Sequence, residues 1–107
     1  PNLFNRFIII APATSWDNSL VCFLEHKYSM TNKELNKKIY LAIGSLDNQY
    51  IINEPTIRFK DSLNLRNYPN LSLNFDFCEG ETHTTIFPRA VSSGLIKCYG
   101  IEEEQKK

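Results

Sequence analysis

The sequence lacks several features that define large classes of proteins. Its longest apolar run, residues 7–11, has the length of a strand and falls far short of the roughly 20 residues that span a membrane. The three cysteines, Cys22, Cys78 and Cys98, are odd in number and show no CxxC spacing, which argues against a disulfide framework or a zinc site. The 12 basic and 12 acidic residues cancel, and no basic stripe interleaves with aromatics. We therefore expect neither a membrane nor a nucleic acid as partner.

The composition that remains is that of a globular protein. The 107 residues are 42% hydrophobic and 12% aromatic, which suits one domain with an ordinary core. We expect residues 1–100 to form part of a single α/β domain and residues 101–107 to form a solvated tail. The chain starts at Pro1 instead of methionine, which indicates a processed or excerpted sequence. The cellular compartment stays open.

Three strand patterns alternate with three helix patterns. Residues 7–11 and 39–43 are continuously apolar, as is typical of strands covered on both faces of a parallel sheet. Residues 71–78 alternate between apolar and polar, which indicates a strand near the sheet edge. Helices are predicted over residues 18–28, 53–67 and 85–99. The order β-α-β-α-β-α predicts a parallel sheet with right-handed crossovers and flanking helices.

Finer expectations concern single positions in these elements. Gly44 ends the second strand, where a sharp exit is expected to require positive φ. Asn53 is expected to cap the second helix with its side chain. The inward stripe of the first helix is predicted to include Phe23 and Leu24. That of the last helix is predicted to comprise Phe87, Val91, Gly94, Leu95 and Cys98.

Two polar residues follow neighbouring strands and form the candidate site. Asp47 follows the second strand and His83 the third, so in a parallel sheet both lie at the carboxyl edge, where ligands bind. An aspartate that accepts the N–H of a histidine fixes its tautomer for acid–base chemistry. The alternative is that Asp47 simply forms a turn. Trp16, in the loop after the first strand, either lines the same edge or anchors the next helix.

The segments around these residues resemble a known family. Residues 80–95, GETHTTIFPRAVSSGL, closely resemble the catalytic-histidine segment of an esterase family of α/β-hydrolases that includes enterochelin esterase-like and feruloyl esterase-like enzymes. Residues 11–18, APATSWDN, look like its S-P-S-x-W-W-D loop, with Ser15 replacing the first tryptophan. Residues 40–47, YLAIGSLD, match its strand-G-x-x-D/E acid loop, and residues 1–7 its P-D-L-F-x-R-Y run. The resemblance extends from residue 1 to residue 100.

This resemblance implies a serine esterase, a carboxylic ester hydrolase with a catalytic triad. His83 would be the general base, Asp47 the orienting acid with Glu54 as the fallback, and Trp16 a residue of the substrate pocket. The substrate would be a small-molecule or carbohydrate-linked ester, and no metal or other cofactor is implied.

One part of the family's machinery is absent from the sequence. The G-x-S-x-G nucleophile elbow and its oxyanion hole are missing, because the only glycines are Gly44, Gly80, Gly94 and Gly100. We therefore interpret the chain as the C-terminal half of such an enzyme, inactive alone, which pairs with an N-terminal half or with itself. The alternative is a non-catalytic α/β binding or interaction module.

Overall fold

The computed structural model describes residues 5–100. The tail predicted for residues 101–107 and the start of the resemblance, residues 1–4, lie outside the described part. The elements are β1 (Arg6–Ile10), α1 (Trp16–Thr31), β2 (Lys38–Gly44), a π-helical turn (Gln49–Asn53), α2 (Glu54–Arg66), β3 (Ser72–Cys78) and α3 (Ile86–Tyr99). The predicted order β-α-β-α-β-α is confirmed, whereas the π-helical turn was not predicted. No helix within residues 5–100 combines the length and apolarity that crossing a membrane requires.

The three strands form one parallel sheet in the order β1-β2-β3. Residues 40–43 of the central strand β2 are at most 1% exposed, as its apolar sequence predicts. The apolar run of β1 predicts the same burial, yet residues 7–10 are only partly buried, because β1 is an edge strand that pairs on one side. β3 occupies the opposite edge, as its alternating pattern predicts. The carboxyl ends of all three strands meet at one sheet edge.

Helix α3 packs on the sheet through Ile86 at its start and through small residues beyond it. Ile86, Ala90 and Cys98 are at most 2% exposed, and a Cβ added at Gly94 would lie 2.8 Å from Ile8 Cγ2. The predicted inward stripe is thus correct at Gly94 and Cys98 and wrong at its three large apolar members. Phe87, Val91 and Leu95 are 43%, 41% and 49% exposed. Beyond Ile86, the close approach of helix and sheet selects the small side chains, and Phe87, Val91 and Leu95 face outward.

Helix α1 lies more loosely on the molecule. It has no buried residue, and the predicted inward residues Phe23 and Leu24 are more than half exposed. Its first turn is irregular, because Asp17, Asn18 and Ser19 have φ values of 52°, 61° and 62° in the left-handed region. These three residues directly follow Trp16 at the carboxyl edge of the sheet.

Candidate active site

The loop after β2 holds Asp47 through its own backbone. Gly44, the last residue of β2, accepts a hydrogen bond at its carbonyl from Asp47 N at 3.1 Å. One carboxylate oxygen of Asp47, Oδ1, accepts from Asn48 N at 2.6 Å. Asn48 in turn caps the π-helical turn, since its Oδ1 accepts from the backbone N–H groups of Tyr50 and Ile51. These bonds therefore hold the carboxylate of Asp47 in a defined orientation.

His83 lies on a tight turn just before α3. Thr82 and Thr85 bracket it with reciprocal bonds: Thr82 N donates to Thr85 Oγ1 at 2.8 Å, and Thr85 N donates to Thr82 Oγ1 at 3.1 Å. The carbonyl of Thr82 also accepts from Ile86 N at 3.2 Å, which joins the turn to the helix. Local threonine-to-backbone bonds of this kind fix a turn without help from distant residues.

The two loops are bonded directly to each other. Three hydrogen bonds join them, from Ser45 N to Cys78 O at 3.0 Å, from Leu46 N to Glu81 O at 3.0 Å, and from Gly80 N to Ser45 Oγ at 2.7 Å. Because these bonds link the segments that carry Asp47 and His83, the two side chains are held at a fixed separation. The contact follows from the parallel pairing of β2 with β3.

Gly44 is required at this junction for a reason other than the predicted one. Its φ is not in the left-handed region; among the described glycines only Gly80 is, at 82°. Instead, a Cβ on Gly44 would lie 2.3 Å from Glu81 O and 2.8 Å from Glu81 C. The expectation of positive φ is therefore wrong, and close approach of the two loops explains the glycine.

His83 and Asp47 meet at hydrogen-bond distance. Nδ1 of His83 lies 2.8 Å from Oδ2 of Asp47, whose side chain is 6% exposed, whereas the His83 side chain is 56% exposed. Because the carboxylate can only accept, Nδ1 carries the proton and Nε2 is the basic nitrogen of the neutral ring. The Phe87 ring stands edge-on to the imidazole, with centroids 6.4 Å apart and planes at 87°. The pair thus sets an exposed imidazole against a buried carboxylate, an arrangement that can support acid–base chemistry.

The other predicted site residues lie outside this contact. Trp16 is 70% exposed at the start of α1, and its exposure does not fit the alternative role of packing anchor. It shares the carboxyl edge with the pair, since its loop follows β1. Glu54 is exposed at the start of α2, and the acid bonded to His83 is Asp47.

Comparison with known proteins shows that the fold also occurs in a solved structure. No protein-family model matches the sequence, and no curated protein matches it. Among solved structures, the crystal structure of the BES protein from Bacillus cereus superposes with a TM-score of 0.75 and 26% sequence identity. The alignment covers 92% of this chain and 37% of that chain, so this chain spans little more than a third of the neighbour's length. The α/β fold with parallel strands is thus shared with a larger protein.

Two buried groups of the sheet stay neutral at ordinary pH. Burial raises the pKa of the Cys78 thiol, which is 1% exposed at the end of β3. Burial, followed by the hydrogen bond that Tyr40 donates to Asp76 Oδ2 at 2.6 Å, raises the pKa of the Tyr40 phenol. A thiol that is buried and protonated is a poor nucleophile. Within residues 5–100, no three His, Cys, Asp or Glu side chains are grouped as a metal site would need.

Sequence reasoning missed one residue that contacts this site. Asn53 precedes α2 as predicted, but its side chain does not cap the helix. Its Nδ2 donates instead to Gly44 O at 2.9 Å, and the residue is 1% exposed. The only signal in the sequence is an asparagine between an apolar pair and a helix start, which equally suits a cap.

Proposed function

We propose that this chain carries the general base and the orienting acid of a carboxylic ester hydrolase of the serine esterase type. The observation that supports it is the 2.8 Å contact between His83 Nδ1 and the buried carboxylate of Asp47, with more than half of the His83 side chain exposed. The resemblance of residues 80–95 to a catalytic-histidine segment supports the same role. The substrates would be small-molecule or carbohydrate-linked esters.

The chemistry follows from the tautomer of His83. Nε2 accepts the proton of a serine hydroxyl as its oxygen attacks the ester carbonyl, and the resulting imidazolium then protonates the leaving alcohol. Water repeats the sequence on the acyl-enzyme and regenerates the serine. Asp47 stays ionised throughout and stabilises the imidazolium across the 2.8 Å bond. Trp16, exposed at the same edge, would offer an aromatic face to the substrate.

In this proposal the serine and the oxyanion donors belong to a part of the polypeptide outside residues 5–100. Within that part no serine is bonded to His83. The open edge of β1 provides a place for such chain, because an unpaired edge strand can accept a further strand. The outward residues of α3, Phe87, Val91 and Leu95, would then be covered by an accompanying helix.

The test is burst kinetics with an activated ester, on the polypeptide that holds these residues together with a nucleophilic serine. His83→Ala should abolish turnover, and Asp47→Asn should lower kcat by about 10⁴, as in serine hydrolases whose histidine is left in the wrong tautomer. Glu54→Gln is the matched acidic control and should retain wild-type turnover. Undiminished turnover in His83→Ala would refute the proposal.

A second candidate function is a binding or interaction module without catalysis. The exposed apolar residues of α3 favour it, since contiguous apolar surface marks sites of association. Self-association of the chain that is lost in Leu95→Glu, together with a parent polypeptide that lacks esterase activity, would select this candidate.

A further inference from the structure

A buried amide lies directly behind the loop that carries Asp47. Asn53 is 1% exposed, and its Nδ2 donates to Gly44 O at 2.9 Å, whereas its Oδ1 has no partner among the described residues. Burying an amide with its oxygen unpaired costs free energy, so packing alone would favour an apolar side chain here. The bond to Gly44 is therefore the feature that the amide contributes.

The carbonyl that Asn53 contacts is shared with the candidate site. Gly44 O also accepts from Asp47 N at 3.1 Å, so one oxygen joins the buried amide to the backbone of the acid. On the other side of Gly44, the Glu81 carbonyl approaches so closely that a Cβ would lie 2.3 Å from it. The orientation of the Gly44 peptide thus affects both Asp47 and the loop of His83.

We propose that Asn53 is a positioning residue for the Asp47–His83 pair. By fixing the Gly44 carbonyl, Asn53 keeps the Asp47 carboxylate against Nδ1 of His83. The ring proton then stays on Nδ1, and Nε2 of His83 is unprotonated. The catalytic meaning of this role rests on the proposed function, whereas the bond that Asn53 maintains can be measured without any reaction. The competing explanation is a structural amide that only ties the π-helical turn to β2.

The experiment measures the tautomer of His83 by ¹H–¹⁵N NMR of the imidazole nitrogens in mildly alkaline buffer. The variants are Asn53→Leu, which is apolar and similar in size, and Asn53→Asp, which keeps the shape and replaces the Nδ2 donor by an oxygen. In the wild type we expect the Nδ1–H form to predominate. In both variants the ratio of Nδ1–H to Nε2–H should fall about tenfold. A change of this size is expected when His83 loses its hydrogen bond to the charged carboxylate of Asp47. His26, the other histidine of the chain, is exposed and serves as an internal reference.

The matched control is Thr56→Val in the adjoining helix α2. Thr56 is 0% exposed and its Oγ1 donates to Pro12 O at 3.3 Å, so the variant loses a buried bond that does not involve Gly44. It should lower the unfolding midpoint and keep the wild-type tautomer ratio. A wild-type ratio in the Asn53 variants would overturn the proposal; should Asn53→Asp fail to fold, Asn53→Leu alone decides. An altered ratio in a parent polypeptide without esterase activity would sustain the positioning role and refute the proposed function.

Discussion

Gly44→Ala is the substitution for which the structure gives the most specific expectation. The new Cβ would lie 2.3 Å from Glu81 O, whereas ordinary van der Waals contact begins at 3.4 Å, so full relief of the overlap moves the two loops apart by about 1.1 Å. The obstacle is backbone, which cannot rotate away as a side chain can. The same carbonyl accepts from Leu46 N at 3.0 Å, so this bond is stretched as well.

The magnitude follows from these two effects. Overpacking against backbone costs about 1–3 kcal/mol, and the strained hydrogen bond adds about 1 kcal/mol. A shift of 1.1 Å would lengthen the 2.8 Å contact of His83 with Asp47 beyond hydrogen-bond distance. Where the proposed hydrolysis is assayed, a displacement of that size corresponds to a loss of about 10²-fold in rate.

The assay combines urea unfolding with the imidazole NMR signals of His83. Two other glycines are matched controls. A Cβ at Gly100 would lie no closer than 3.8 Å to any other described residue that is not its chain neighbour, and a Cβ at Gly94 would first meet the side chain of Ile8 at 2.8 Å. Gly100→Ala should leave stability unchanged, and Gly94→Ala should lower it without altering the tautomer of His83. If Gly44→Ala unfolds at the wild-type urea concentration and retains the Nδ1–H form, the close-approach argument is refuted.

Two further predictions concern the stability of the fold. Ser19 has a φ of 62°, which costs an L-residue about 1–2 kcal/mol, so Ser19→Gly should stabilise by about 1 kcal/mol in urea unfolding. Ser29→Gly, in the same helix at a regular position, should destabilise the fold by about 1 kcal/mol. If both substitutions change stability in the same direction, the backbone of Ser19 is not strained. Burial raises the pKa of Cys78 and of Tyr40, so the unfolded chain loses these protons first. The stability that these two groups contribute is fully present below pH 9.0 and is lost as the pH rises above 9.0 for Cys78 and above 10.0 for Tyr40. The urea unfolding midpoint, measured at neutral and alkaline pH, should fall as the pH rises, and it should fall less in Cys78→Ala. A midpoint that rises with pH would contradict the prediction.

The sequence predicts the elements and the candidate pair because both depend on order along the chain. Once the strands are parallel, Asp47 and His83 must reach the same sheet edge, and no knowledge of packing is needed. The faces of the helices are less predictable. On α3 a stripe of large apolar residues and a stripe of small ones lie side by side, and periodicity alone favours the large stripe. The sheet selects the small one, because Gly94 must approach Ile8 and Tyr40.

Contacts with backbone carbonyls that are distant along the chain cannot be predicted from the sequence. Gly44 suits a turn with positive φ as well as a close approach, and only the position of Glu81 distinguishes the two. Asn53 likewise suits a helix cap as well as a bond to a distant carbonyl. In both cases the residue type is informative, but the partner lies 9 or more positions away and is brought near by the fold.

These contacts imply that the geometry of the pair is a property of β2, β3 and their two loops. The hydrogen bonds that join the loops of Asp47 and His83, and the bond from Asn53 to Gly44, all lie within residues 44–83. The open edge of β1 is on the other side of β2, so chain added there would not be needed to form the pair. On the proposed function, the base and its acid are therefore preorganised before a serine is brought to them. The tautomer of His83 in this chain alone should equal that in the complete enzyme, and a shift between the two would show that the nucleophile's part of the molecule also sets the base.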